Sequence, residues 1–397
     1  MSAYPAPIRI DDPRRSPERS VLDSGGGFAW WYVDLRDRRG SGLVLIWSFG
    51  LPFLPGYAAA ARAGRPVRPR TRPSLNVAIY REGVLDGYLL QELDPQEAHW
   101  RTGEDGIEQH WSFGSSRMHF SCTGTQARLD VMLDCALPGQ QTRLQGRVQV
   151  KGRLPHCSPQ LRDAVWTDAD HSPHHWTPMV AGARGQAYIE YGSDTPLDLR
   201  GSAYHDRNWS PLPLHALGIQ DWLWGRVHGP HAELVYYALT PPDTQADPTH
   251  LVLELREDGE LTWRPDVTLR LQGRRWARYG MPWWAALELW QGGRLLWRIT
   301  HPDKVDDGPF YLRFLTQAQH VSGAVAPGVA EVIRPGRVDL VWQRPFVRMR
   351  VHQLHGPNSW LTAAFSGAQQ GRLRRALAAL VPGQASDAPA LPQHAGL

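Results

Sequence analysis

Nine consecutive residues, Gly201-Ser202-Ala203-Tyr204-His205-Asp206-Arg207-Asn208-Trp209, bring together a phenol, an imidazole, an acid, a carboxamide and an indole. Asp and Asn are depleted from strand interiors, so this composition between strand-like runs reads as a site rather than as part of a sheet. A second dense stretch, His171-Ser172-Pro173-His174-His175-Trp176-Thr177-Pro178, lies upstream, and a third, Asp221-Trp222-Leu223-Trp224, lies downstream. The three are expected to converge on one pocket. The plainer alternative is that they are aromatic-rich loops capping a β-barrel.

An acid among indoles suggests proton chemistry on an apolar substrate. A carboxyl group in an apolar pocket has its pKa raised, because burial disfavours the charged form, and it can then donate a proton near neutral pH. A hydrocarbon double bond is a very weak base, so the cation it yields needs stabilisation as it forms. Indole faces supply this by cation–π attraction, about 2 kcal/mol or more each when desolvated. In this reading Asp206 is the acid, Trp176 and Trp209 shelter the cation, and His174 and Tyr204 orient water or take the final proton. Asn208, Trp209, Trp222, Trp224 and Tyr236 are the candidates for substrate contact. Each residue has a bland alternative: Asp206 as a turn cap, the tryptophans as core, His174 as an ordinary hydrogen-bonded histidine.

The totals narrow the classes. Eighteen tryptophans in 397 residues imply β-layers packed with indoles, a site lined with them, or both. A net charge of +4, with arginine spread along the chain and lysine only at Lys151 and Lys304, leaves no concentrated basic face for nucleic acid. Three cysteines (Cys122, Cys135 and Cys157) without a C-x-x-C pair argue against a disulfide framework or a structural zinc site and fit a reducing compartment. His171, His174 and His175 have the spacing of two metal ligands, but only Asp168 and Asp170 stand near enough to complete a set, so no metal is expected. The sequence contains no G-x-S-x-G, P-loop, dinucleotide fingerprint or H-E-x-x-H. Met1 to Ser20 lacks the apolar core of a secretory signal. The apolar run from Leu43 to Tyr57 is interrupted by Ser48, Gly50, Pro52 and Pro55 and does not read as a membrane span.

The elements that must position these residues are short strands. Residues 1–25 read as an N-terminal arm with little structure of its own. Strand patterns begin at Phe28 and Leu43 and continue at Leu75–Tyr80, Arg117–Cys122, Arg128–Leu133, Arg143–Val150 and Ala187–Tyr191. Gly50 to Pro73 reads as a long loop, an apolar head (Leu51, Phe53, Leu54, Tyr57) joined to a tail of arginines. It is either an anionic-membrane contact or a solvated connector. After Pro211-Leu212-Pro213 strands resume at Ala232–Leu239, His250–Arg256, Val267–Leu271, Ala285–Trp290, Leu295–Thr300, Phe310–Leu315, Val338–Trp342 and Phe346–Val351, with Gly292-Gly293 as a hairpin turn. The pattern predicts an all-β protein of two consecutive β-barrel or sandwich domains, residues 26–213 and 214–352. Residues 353–397 are read as a C-terminal helix, started by Asn358-Ser359 and carrying Leu373, Leu377 and Leu380, then a disordered tail.

Several of these segments together resemble the carotenoid 1,2-hydratases, or hydroxyneurosporene synthases. Asn76-Val77-Ala78-Ile79-Tyr80 is similar to that family's N-V-A-L-Y strand, and His174-His175-Trp176-Thr177-Pro178 to its H-x-W-x-P. Gly201 to Asn208 matches G-x-x-Y-x-D-x-N, and Trp222-Leu223-Trp224 fits W-x-W. Pro309-Phe310-Tyr311-Leu312-Arg313 fits P-F-Y-x-R, and Pro345 to Met349 resembles the closing P-F-R-M segment. The chain departs from the family at Ser210, where glycine is common, and at Pro211–Leu214, which replaces an acidic turn.

The resemblance implies a tandem lipocalin-like fold and cofactor-independent addition of water across the terminal C1=C2 bond of an acyclic carotenoid such as lycopene or neurosporene. It carries catalytic roles onto His174, Trp176, Tyr204 and Asp206. It further implies a hydrophobic polyene substrate, a cytoplasmic protein peripheral to the inner, photosynthetic membrane, and no obligate protein partner. Two other readings fit the same residues: an isoprenoid or polyene cyclase or pericyclase on this fold, and a lipocalin-like lipid carrier without turnover.

Overall fold

The computed structural model describes residues 8–17, 19–104, 106–161, 174–242 and 248–369. The described chain is mostly β, with only short helical turns besides. One sheet runs, neighbour by neighbour, through Gly367–Ala368, Val84–Glu92, Pro73–Arg81, Gly42–Phe49, Phe28–Arg36, Leu197–Ser210, Ala181–Glu190, Arg143–Arg153, Gln126–Ala136, Ser116–Thr123, Gln109–Phe113 and Ala98–Thr102. The second runs through His156–Cys157, Glu260–Trp263, Thr249–Arg256, Ala232–Thr240, Asp221–His228, Val325–Ile333, Tyr311–His320, Arg294–Asp307, Pro282–Gln291 and Val267–Trp276. Both are antiparallel meanders along most of their length, with hairpins such as Gly292-Gly293, where φ of 53° and 80° suits glycine in a two-residue turn.

Each sheet curls on itself. In the first, Trp31 packs at 4.9 Å from Trp100 and 5.1 Å from Trp111, ring centre to ring centre, so the distant strands Ala98–Thr102 and Gln109–Phe113 close over Phe28–Arg36. The second wraps a separate core that includes Leu223, Val227, Tyr236, Leu287 and Phe314. A third apolar cluster, containing Tyr32, Trp176, Tyr204, Trp222, Trp224 and Tyr237, lies between the sheets.

Several strands therefore have two buried faces. Along Phe28–Arg36, Trp31, Val33 and Leu35 point into the first core, while Tyr32 faces the second sheet and Asp34 reaches its Arg226. Along Leu197–Ser210, Ala203 faces the first core and Tyr204 the intersheet layer. Along Asp221–His228, Leu223 and Val227 face the second core, and Trp222 and Trp224 look back at the first sheet. A strand buried on both faces loses the apolar–polar alternation by which strands are read. For this reason the nine-residue motif, expected from its composition to lie outside a strand interior, is instead the interior of a 14-residue strand. Gly201 serves that strand directly. A Cβ there would sit 1.9 Å from the Arg36 carbonyl oxygen, so only glycine permits this approach of the two backbones.

Polar ties hold the sheets in register. Arg226 Nε donates to Asp34 Oδ2 at 2.9 Å, and its other nitrogens pair with Asp34 and Glu233. Arg313 Nη1 donates to the Tyr80 hydroxyl at 2.5 Å, and Arg36 Nη1 to the Thr316 carbonyl at 2.7 Å.

Four expectations are corrected. The N-terminal arm is not loose, since Ile8–Ile10 forms a parallel strand beside His174–Trp176 and Arg207 donates to the Asp12 carbonyl at 2.9 Å. The Gly50–Pro73 segment is neither a membrane contact nor a solvated connector at its apolar head. It contains a helix, Tyr57–Arg62, and buries Leu51, Leu54 and Tyr57. Val338–Trp342 and Phe346–Val351 are not strands. Pro335 and Pro345 sit in the first turns of single-turn helices, where a fixed φ and a missing N–H are tolerated. The cap role of Asn358 is likewise absent, because its side chain clasps the Gln353 backbone at 2.7 Å on both sides. Ser359 precedes the single turn Thr362–Phe365, and the repeat Leu373, Leu377, Leu380 lies outside the described residues.

Candidate active site

Residues 204, 206 and 208 share the intersheet face of Leu197–Ser210, as the two-residue strand period requires. The neighbouring strand His174–Pro178 pairs with it antiparallel, and its residues 174 and 176 share one face. Asp206 is the centre of the resulting network. Its Oδ2 accepts from Trp176 Nε1 at 2.8 Å and from the Tyr204 hydroxyl at 2.9 Å. Its Oδ1 accepts from Asn208 Nδ2 at 2.9 Å. Asn208 Oδ1 lies 3.0 Å from His174 Nε2. Because the Asn208 amide nitrogen already donates to Asp206, its oxygen must accept, so His174 carries its proton on Nε2.

The electrostatics follow from burial. Asp206 is pushed up to about 7, first by desolvation and then by the charges of Glu331 and Asp34, against the lowering hydrogen bonds from Trp176 and Tyr204. His174 is pushed down to about 3 by burial, which keeps it a neutral imidazole. Tyr204 is raised well above its usual value by burial and by Asp206, so it stays a hydroxyl donor. The set is one buried acid able to hold or give a proton near neutrality, with fixed donors around it.

Asp206 and Asn208 open onto a niche of about 320 Å³, its mouth included, whose aromatic walls are Trp30, Tyr32, Trp222, Trp224 and Tyr237. Glu331 and Ile333 line it from the second sheet. Trp30, Tyr32, Glu331 and Ile333 also line a larger, mostly apolar pocket of about 870 Å³, its mouth included. Leu51 and Phe53 form part of that outer wall, and Phe53 stacks on Phe310 at 5.3 Å. The head of the Gly50–Pro73 segment thus lines the pocket.

The expected site residues divide. Asp206, His174, Trp176, Tyr204 and Asn208 come together in one hydrogen-bonded set. Trp222 and Trp224 face them across the niche. Trp209 does not join them. It points to the other face of its strand, stacks on His175 at 3.5 Å and donates to Asp11 at 2.8 Å. Tyr236 is also elsewhere, in the interior of the second sheet, and Tyr237 takes the niche position because it pairs across the strand with Trp224. Trp176 is tied to Asp206 through its N–H, and the niche walls are formed by other rings. His174 and His175 project to opposite sides of their strand, so they form no chelating pair; His171, Asp168 and Asp170 lie outside the described residues.

Sequence reading missed Trp30, Tyr32, Tyr237 and Glu331. For Glu331 a signal was available, a lone acid inside the apolar run Val329-Ala330-Glu331-Val332-Ile333. For the aromatic residues alternation gave none, because their strands are buried on both faces.

Fold and site together define an all-β protein with a buried carboxyl in an aromatic niche that adjoins an apolar pocket. The chain belongs to the carotenoid hydratase family, a family of hydro-lyases: the model described as carotenoid hydratase CrtC matches residues 45–358. It is 23% identical to a Chlorobaculum tepidum protein named hydroxyneurosporene dehydrogenase, over 83% of this chain and 88% of that one. It is 29% identical to the acyclic carotenoid 1,2-hydratase of Thiocapsa roseopersicina, over 58% of this chain but only 51% of the relative. The match to the Rubrivivax gelatinosus enzyme of the same name is also 29%, over 45% of that protein, so the chain spans about half the length of these two hydratases. Among solved structures, CghA with Sch210972 is similar at 12% identity and a TM-score of 0.49, covering 78% of this chain and 89% of that one. Kievitone hydratase from Nectria haematococca is similar at 9% and 0.41, covering 83% and 98%.

Proposed function

We propose that this protein adds water across the terminal C1=C2 double bond of an acyclic carotenoid, with Asp206 delivering the proton to C2. The observation that carries this reading is the placement of Asp206: a buried carboxyl raised to about 7 in an aromatic niche that shares Trp30, Tyr32, Glu331 and Ile333 with a larger apolar pocket. Its proton would pass to C2, leaving a tertiary cation at C1. The aromatic niche walls would shelter that cation. Water would then form the C1–O bond of a tertiary alcohol. Trp176, Tyr204 and Asn208 hold the acid, and His174 acts on it through Asn208. These steps require only side chains of this chain.

The substrate class implies contact with a membrane, where such polyenes dissolve. Support comes from an exposed apolar run, Leu340-Val341-Trp342, with Val341 74% and Trp342 56% exposed. Arg344 and Arg348 are exposed in the same region, and Phe346, Val347 and Val351 just beyond line the outer pocket. An apolar tip with basic neighbours fits an anionic lipid surface. Among the described residues no helix is long and apolar enough to cross a membrane.

The test is mass spectrometry of detergent-solubilised lycopene after incubation in oxygen-18-labelled water, wild type beside Asp206→Asn. Labelled alcohol from the wild type, absent from the variant, is the expected result. An unlabelled isomer of the substrate would favour cyclisation. Tight binding without turnover would favour a carrier.

A further inference from the structure

We propose that Glu331 is the second catalytic carboxyl of this site, the group that takes the proton from water as water captures the substrate cation. The proposal rests on the hydration reading above and supplies the half of the reaction that Asp206 leaves open.

Glu331 is out of place as a structural residue. It sits 8% exposed within an apolar strand, where carboxylates are rare unless paired. It is paired, since Arg313 Nε donates to its Oε1 at 2.9 Å. Arg313 is held in turn by the Tyr80 hydroxyl and by the Tyr311 ring, 5.1 Å from the guanidinium. A buried ion pair of this kind is weak evidence for stability, because packed apolar residues often replace one without loss. Its location supplies a better reason. Glu331 lines the same niche as Asp206, one carboxyl contributed by each sheet. Its charge is one of the causes that keep the proton on Asp206.

The niche also carries the marks of an oxygen-binding place. The Tyr32 hydroxyl, Trp222 Nε1 and Trp224 Nε1 are buried there with no hydrogen-bond partner among the described residues. Native proteins rarely leave such donors orphaned. Glu331 is the direct cross-strand neighbour of Trp224, and Ile333 that of Trp222. Two indole donors, a phenol and a carboxylate acceptor thus belong to residues lining one niche, and a buried water needs two to four such partners.

The steps balance. The Asp206 O–H bond breaks as the C1=C2 π pair forms a C2–H bond, leaving Asp206 as carboxylate and C1 as a cation. A lone pair of the niche water forms the C1–O bond. The proton lost by that oxygen goes to Glu331. Product departure then lets solvent return one proton to Asp206 and remove one from Glu331, so the net change is addition of one water.

The two carboxyls act at different steps, and this separates them experimentally. Detergent-solubilised lycopene is incubated in deuterium oxide with wild type, Asp206→Asn and Glu331→Gln. Hydration and deuterium content of recovered lycopene are both measured, with binding followed by tryptophan quenching. In E331Q the cation still forms but is captured slowly, and Asp206 takes back either hydrogen of C2. The expected result is hydration down roughly a hundredfold or more, with deuterium appearing in recovered lycopene. D206N loses both signals. Wild-type hydration by E331Q would overturn the proposal. So would loss of exchange together with hydration in a variant that still binds lycopene. Should E331Q fail to fold, Glu331→Asp keeps the charge near Arg313 with a shortened reach. It is expected to lower the ratio of hydration to exchange, and an unchanged ratio would overturn the proposal. Wild type showing neither signal would overturn the hydration reading itself, and this proposal with it.

Discussion

Tyr204 and Asp206 stand two residues apart on one face of a single strand, and the Tyr204 hydroxyl donates to Asp206 Oδ2 at 2.9 Å. Trp176 donates to the same oxygen, whereas Asn208 donates to Oδ1. Both lone pairs of Oδ2 are therefore engaged, and a protonated Asp206 must carry its proton on Oδ1. The network thus fixes which oxygen is the acid as well as where the carboxyl points.

The first prediction concerns pH. Hydration needs Asp206 protonated, and its folded value is about 7, raised mainly by burial. Turnover should decline tenfold per pH unit above the folded pKa, and the gain on acidification should end at about pH 6. His174, held neutral by burial with a value near 3, should add no limb between pH 5 and 8. The same shift bears on stability. An acid raised on folding contributes stability that is complete below its unfolded pKa and is lost as pH rises through its folded pKa. Wild-type stability should therefore fall between about pH 4 and pH 7, by up to a few kcal/mol, and Asp206→Asn should flatten that fall. Urea titrations at several pH values check the second effect and a pH–rate profile the first.

Tyr204→Phe removes one donor from Oδ2 without changing the ring. The lost hydrogen bond is one that lowers the Asp206 pKa, so the acid becomes weaker. The alkaline limb of the rate profile should move to higher pH while the plateau falls, by about tenfold. A plateau loss with an unmoved limb would mean that Tyr204 acts on substrate and not through Asp206.

The chemistry-bearing segments were legible because rare residue types cluster at Tyr204–Asn208, His174–Trp176 and Trp222–Trp224, and those clusters meet in space. Hairpins and strands with one exposed face were legible too, as Met118 and Phe120 alternate with exposed or half-exposed partners. What could not be read was depth. The strands Phe28–Arg36, Leu197–Ser210 and Ala232–Thr240 are covered on both sides, so alternation does not say which residues face which core. That is why Trp209 and Tyr236 were placed on the wrong face and Trp30, Tyr32 and Tyr237 were passed over. Glu331 was missed for a different reason: its partner Arg313 belongs to the next strand in the sheet, and pairing across a register is invisible in a linear sequence.

Arg226 provides a test of the intersheet layer that does not touch the acid. It is 1% exposed, between Asp34 of the first sheet and Glu233 of the second. Burial alone would raise Glu233, but the charges and hydrogen bonds of Arg226 and His228 together outweigh it and the net direction is down. Arg226→Met would leave two buried carboxylates without their cation and should cost about 3–5 kcal/mol in urea unfolding. The contribution from Glu233 is present above its unfolded pKa and is lost as pH falls through the folded one. The wild type should therefore lose part of this margin in acid, and the variant should show a smaller loss there.

Membrane contact through Leu340-Val341-Trp342 makes a prediction that separates substrate delivery from chemistry. None of the three lines the niche or the outer pocket, so Val341→Asp with Trp342→Asp should leave turnover of detergent-solubilised lycopene unchanged. Two exposed apolar side chains at a lipid surface bury part of their area on docking, and each replacement adds a charge that anionic lipid repels. Cosedimentation with phosphatidylglycerol vesicles should fall at least tenfold, with a smaller effect on phosphatidylcholine vesicles, where the repulsion is missing. Turnover of lycopene held in the anionic vesicles should fall in step with binding. Equal binding by wild type and variant would remove this surface from the proposal. A turnover loss in detergent as large as that in vesicles would mean that the substitutions reach the pocket, through Phe346 and Val347, and that the tip is part of its wall.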